Sequence, residues 1–166
     1  MTEKHTTSGD YVGQVGRPFL ARRIAQFHDV LAEQGQDVLN AAGMELDSRL
    51  GSVFSLIAHR PGLSVAALAD ELGLSHQLAT YRVKKLVEAG LVSQARDPED
   101  RTRSILQPTD KAGAEVEKLQ TVMRQLDQAY AELFSELGAD LLELAIRARA
   151  ALTKTPLLER INRVQD

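Results

Sequence analysis

Between Leu63 and Gly113 the chain is so densely marked with helix caps and turns that few folds remain open to it. The segment reads LSVAALADELGLSHQLATYRVKKLVEAGLVSQARDPEDRTRSILQPTDKAG. Ser64 is placed to cap a short apolar helix, Val65 to Leu72, with Ala67, Leu68 and Leu72 facing inward. Gly73 makes a turn, and Ser75 caps a longer helix from His76 to Ala89 that Gly90 ends. Leu91–Ala95 and Thr102–Gln107 read as two short strands around a loop in which Pro98 supplies the turn. Pro108 falls where the second strand ends, a place that tolerates a missing backbone donor. Helix, glycine turn, helix and charged hairpin is the order of parts in a winged helix-turn-helix, a unit that sets one helix in a DNA groove.

The flanks are helical. Residues 1–16 are polar and lack periodicity, so a mobile tail is expected. Pro18 suits a first helical turn. Leu20, Ile24, Phe27, Leu31 and Val38 follow at helical spacing to about Ala42, with Gly43 as the stop and Gly35 as a local weak point. Asp47 or Ser48 caps a second helix to about His59, with Leu50, Val53, Phe54, Ile57 and Ala58 inward, and Pro61-Gly62 ends it.

From Lys111 to Leu137, Val116, Leu119, Met123, Leu126, Tyr130, Leu133 and Leu137 recur in alternating steps of three and four, the spacing of a coiled-coil seam. A helix of about 27 residues extends about 40 Å, too long for so small a domain to cover, so its stripe needs the first helix, a second subunit, or both. After Gly138, Asp140 caps another helix whose apolar face includes Leu141, Leu144, Ala145, Ala148 and Leu152. Pro156 opens a last amphipathic helix with Leu157, Leu158, Ile161 and Val164. The expected architecture is therefore mainly α. A winged helix-turn-helix at residues 47–110 is preceded by an N-terminal dimerisation helix at 17–46 and followed by C-terminal dimerisation helices at 111–166. The dimer contacts are expected at Leu20, Ile24, Leu119, Met123, Leu126, Tyr130, Leu133, Leu137, Leu141 and Leu144.

Composition bounds the function. With 166 residues the chain is long enough for one domain with a real core. No apolar run approaches the ~20 residues that span a bilayer. The first residues lack a charged-then-apolar export signal, which favours a cytoplasmic protein. There is no cysteine, so neither a disulfide framework nor a thiolate metal site is available. The formal net charge is −3, yet His76 to Arg103 carries six Lys or Arg against four acids. That leaves +2 on the candidate nucleic-acid segment and −5 on the rest, a mild asymmetry that permits DNA as a partner.

At about 100° per residue, Ala79, Val83 and Leu86 share the inward face of the second helix, while Gln77, Tyr81 and Lys84 project oppositely with Thr80 and His76 beside them. Gln binds adenine in bidentate fashion, and Thr and Tyr reach base edges, thymine methyls or phosphate. Lys84 and Lys85 suit phosphate or guanine. The helix start offers free N–H groups to a phosphate. Glu88 shares this face at its far end. In the hairpin, Arg96, Arg101 and Arg103 flank an acidic loop in which Asp100 is placed to hold one of them, and arginine is favoured in a narrow minor groove. The bland alternatives are a solvated amphipathic helix and a surface loop with weak ion pairs.

Catalysis finds little footing. His5, His28, His59 and His76 are scattered without metal-ligand spacing, and neither GxxxxGK[ST] nor GxSxG occurs. No enzyme, metal or cofactor is expected. A winged helix that binds protein instead of DNA is the rival reading.

The stretch from Gly43 to Gly113 resembles the MarR family of bacterial transcription regulators, most specifically in LADELGLS, KKLVEAGLV and DPEDR. The resemblance implies a homodimer with interlocked terminal helices, a pseudo-palindromic operator, a repressor role, and release by a small, often aromatic or phenolic, ligand. It places Ser75 as the cap of the recognition helix and Gln77, Thr80, Tyr81 and Lys84 at DNA-facing positions. Many relatives carry arginine where this chain has Tyr81, and place the wing-tip arginine at the position of Thr102, which implies a shifted operator preference and a substitute role for Arg101 or Arg103. The implied ligand site would draw on Phe19, Phe27, His28, Arg49 and Phe54, for which core packing or surface exposure is an equal account, so the ligand residues stay open.

Overall fold

The computed structural model describes residues 10–98 and 104–165. Its contacts divide into two units, one up to Val122 and one from Met123 onward. In the first unit, helix α1 (Tyr11–Val15) precedes a single 3-10 turn at Arg17–Phe19 and the long α2 (Leu20–Ala41). A second 3-10 turn at Ser48–Leu50 leads into α3 (Gly51–His59), α4 (Val65–Leu72) and α5 (His76–Glu88). Strands β1 (Val92–Arg96) and β2 (Ser104–Pro108) follow, and α6 (Ala112–Leu137) leaves them.

Helix α1 corrects the expectation of a featureless tail through residue 16. The Asp10 carboxylate accepts from the Gly13 N–H at 3.0 Å, capping the helix, and also pairs with the Arg23 guanidinium on α2. Both interactions hold the Asp10 carboxyl below its ordinary value, the Gly13 hydrogen bond foremost. The Tyr11 and Phe19 rings meet at 5.8 Å. Helix α2 runs unbroken through Gly35, because one glycine costs a helix interior only about 1 kcal/mol.

The core of this unit lies among α3, α4, α5 and the hairpin. Val53, Phe54, Ile57, Leu68, Leu86 and Leu106 are almost fully buried, and among the described residues every buried side chain is apolar. Met44 joins them. On α4 the buried pair is Leu68 and Ala69; Ala67 and Leu72, expected inward, are half-buried. The strands pair antiparallel, Val92 opposite Pro108 and Arg96 opposite Ser104. Leu91, expected to start β1, instead closes the preceding helix: its N–H donates to the Leu86 carbonyl at 3.0 Å. The sheet is also wider in backbone terms than the sequence implied. The Gly62 N–H donates to the Leu106 carbonyl at 2.8 Å, and the Leu106 N–H donates to the Leu63 carbonyl at 2.9 Å, so the α3–α4 connection lines up along β2.

Helix α6 passes from the first unit into the second. Leu119 and Val122 are buried in the first unit, the latter outside the predicted stripe. In the second unit the rest of α6 leads to α7 (Leu141–Lys154) and α8 (Leu157–Gln165). Leu126, Tyr130 and Leu133 are half-buried, and Leu137 is exposed. Tyr130 stacks on Phe134 with centroids 6.3 Å apart. Asp140 caps α7 by accepting from the Glu143 N–H at 2.9 Å. The Arg160 guanidinium donates to the Ala151 and Thr155 carbonyls, each at 2.9 Å, tying α8 to the end of α7. Leu144, Leu157, Leu158, Ile161 and Val164 are left exposed.

Candidate nucleic-acid interface

The segment from α4 to α5 is built by its caps. Ser64 Oγ accepts from the Ala67 N–H and Ser75 Oγ from the Leu78 N–H, each at 3.2 Å, so both helix starts are fixed by a serine. Between them Gly73 takes a left-handed conformation at φ 62°, ψ 33°, which lets the Leu74 N–H close back on the Ala69 carbonyl at 2.9 Å. The far end of α5 is sealed by the base of the hairpin: Thr109 Oγ1 donates to the Gly90 carbonyl at 2.6 Å and Lys111 Nζ to the Ala89 carbonyl at 3.1 Å.

This frame divides α5 into two faces. Ala79, Val83 and Leu86 are buried to within 1%. His76, Gln77, Thr80, Tyr81, Lys84 and Lys85 are all exposed, Tyr81 by 56%. The Thr80 hydroxyl donates to the His76 carbonyl at 2.8 Å, so its proton is used within the helix and its methyl and lone pairs remain for a partner. Lys85 Nζ stands 5.9 Å from the centre of the Tyr81 ring, within cation–π range.

Glu88 sits beside both lysines of this face. Its carboxylate lies 2.8 Å from Lys85 Nζ and 3.8 Å from Lys84 Nζ. The hydrogen bond to Lys85 holds the Glu88 carboxyl below its usual range, and the same bond raises Lys85. The i,i+3 and i,i+4 spacing was the available signal.

Of the wing residues, Arg96 is exposed at the end of β1. Asp100, Arg101, Thr102 and Arg103 lie outside the described residues. Of the candidate ligand residues, Phe54 is wholly within the core, so packing accounts for it. Phe19 and Phe27 are 37% and 44% exposed, and His28 pairs at the surface with Asp29 at 3.5 Å. Among the described residues no group of His, Asp or Glu is placed to hold a metal ion, and no helix is long and apolar enough to cross a membrane.

A three-helix lobe closed by a β-hairpin, with its second turn-linked helix laid open on one side, is a winged helix-turn-helix. Residues 52–101 match the MarR family model. The fold as a whole resembles solved structures. One is the transcriptional repressor CouR bound to a 23-mer DNA duplex, at 22% identity and a TM-score of 0.62, with 81% of this chain and 92% of that one covered. Another is the PcaV transcriptional regulator from Streptomyces coelicolor, at 26% identity and 0.59, covering 81% and 96%. A third is Streptococcus pneumoniae FabT in complex with DNA, at 16% identity and 0.53, covering 85% and 95%. No curated protein sequence matches the chain.

Proposed function

We propose that this chain is a DNA-binding transcriptional regulator, acting in the cytoplasm as a homodimer on a pseudo-palindromic operator. The observation that carries the reading is the split of α5, with Ala79, Val83 and Leu86 buried and Gln77, Tyr81 and Lys84 turned to solvent beside Thr80 and Lys85. An amphipathic helix held this firmly by caps at both ends, beside a hairpin, presents side chains to a major groove at fixed angles. Gln77, Thr80 and Tyr81 read base edges, Lys84 and Lys85 bind phosphate, and Arg96 with Arg101 or Arg103 reaches the adjacent minor groove, Asp100 steadying one of them.

Dimerisation is supported by apolar surface that a monomer would leave wet. Leu20 and Ile24 on α2 are 61% and 57% exposed, as are Leu157 and Leu158 on α8 by 64% and 70%. Two copies place their α5 helices one helical turn of DNA apart, about 34–36 Å. Repression and release by a small ligand, possible where two states differ in ligand affinity, complete the proposal. The similar CouR and FabT structures contain DNA, and a PcaV structure contains its natural ligand.

A gel-shift with DNA from upstream of the chain's own gene, titrated with salt, tests this. Binding that falls steeply with salt is expected, since each neutralised phosphate releases counterions. No shift at low salt would overturn the reading and leave the lobe as a protein-binding module.

A further inference from the structure

Helix α2, with its exposed apolar stripe, meets the DNA-reading lobe through the Ser48–Leu50 turn, and that turn also touches α3 and α5. Side chains from both elements span the joint. The Gln36 amide donates to the Leu46 carbonyl at 3.0 Å and to Asn40 Oδ1 at 3.0 Å, and its oxygen accepts from the Ser48 N–H at 2.8 Å. One turn earlier, Ser48 Oγ donates to the Ala32 carbonyl at 3.2 Å. Ala32, Gln36 and Asn40 are thus one row of α2, four residues apart, facing the Leu46–Ser48 backbone. The contacts to Leu46 and Ser48 are partly buried, where an unmade hydrogen bond costs more than it does in water.

We infer that Gln36 is a positioning residue for DNA reading, the side chain that sets the register of α2 against the lobe carrying α5. A purely apolar contact would let a helix slide or roll by small amounts. An amide that must give to Leu46 and take from Ser48 satisfies both at one register only. Because Ser48 opens the turn that lies against α5, that register passes to the recognition helix. In a dimer joined through α2, the spacing between two recognition helices inherits it. The inference rests on the dimeric DNA reading proposed above.

The test uses the full chain with Gln36→Met, which keeps length and removes both the donor and the acceptor. The chain has no cysteine, so Asp70→Cys on the exposed side of α4 accepts a single spin label per protomer. The expected result is a broadened or shifted inter-protomer distance distribution. Operator affinity should fall about tenfold while affinity for an unrelated duplex stays within about twofold, the scale of coupling changes at a joint. If Gln36→Met does not fold, Ser48→Ala, which removes only the bond to Ala32, should give the same direction with a smaller effect. An unchanged distance distribution with unchanged operator affinity overturns the inference alone. So does an equal loss on both duplexes, which would mark Gln36 as merely structural. An unmodified chain showing no inter-protomer distance overturns the dimeric reading and this inference with it.

Discussion

Lys85 donates to Glu88 across 2.8 Å on the face of α5 that also presents Tyr81. A carboxylate there gives the Lys84, Lys85 and Glu88 group a net charge of +1 instead of +2 toward a phosphate backbone. Glu88→Gln should therefore tighten DNA binding at low salt and steepen the salt dependence by about 0.9 in log–log slope, one added charge in counterion-release terms. Fluorescence anisotropy across a salt series measures it, and an unchanged slope refutes the role.

The two classes of side chain on α5 should separate cleanly. Gln77→Ala and Tyr81→Ala are each expected to lose roughly 1–3 kcal/mol on the operator and to relax its sequence preference. Lys85→Ala should weaken binding to every duplex alike and flatten the salt slope. Equal behaviour of the three variants in competition assays would sink this division of labour.

The turn between α4 and α5 depends on the left-handed backbone of Gly73. A Cβ in that conformation costs about 1–2 kcal/mol. Gly73→Ala is expected to lower unfolding stability by that amount in a urea titration, with little change in the slope against denaturant. A neutral result would mean that the turn relaxes.

Ile24→Asp places a charge in the exposed stripe of α2, where Leu20 and Phe27 lie on the same side. Sedimentation velocity should show monomers for this variant and dimers for the unmodified chain. A stable monomer without the substitution would end the dimeric proposal.

The α1 cap gives a pH dependence with a definite sign. Native Asp10 titrates below its ordinary value, so its stabilising bond to Gly13 is fully present above the usual carboxylate range and is lost as pH falls through the lowered native value. Protection of the Gly13 and Gln14 amides, relative to their intrinsic exchange rates at each pH, should hold at neutral pH and be lost only in acid, whereas Asp10→Ala should lower it throughout.

The sequence disclosed the reading lobe where one residue type had one job. Ser64, Gly73 and Ser75 announce a cap, a turn and a cap, and α4 starts and stops where they imply. It concealed features made by partners distant along the chain. Helix α1 is a turn and a half long, too short for periodicity to register, and its Asp10 is tied to Arg23, thirteen residues away. The alignment of Gly62 and Leu63 along β2 is backbone to backbone and leaves no mark on side-chain pattern. Gln36 leaves no mark on the pattern either, since a bridging amide differs from a wet one only in what the fold brings to it. Leu91 read as strand because it is apolar and follows Gly90, yet its N–H belongs to the helix behind it.

Helix α5 keeps its two faces wholly separate: no side chain that fills the core also looks outward. On the proposed DNA reading, rewriting positions 77, 81 and 84 would thus alter which nucleotide order is preferred while Ala79, Val83 and Leu86 go on anchoring the same scaffold. New target sites are open to such a lobe through a handful of surface replacements, with no compensating repair inside.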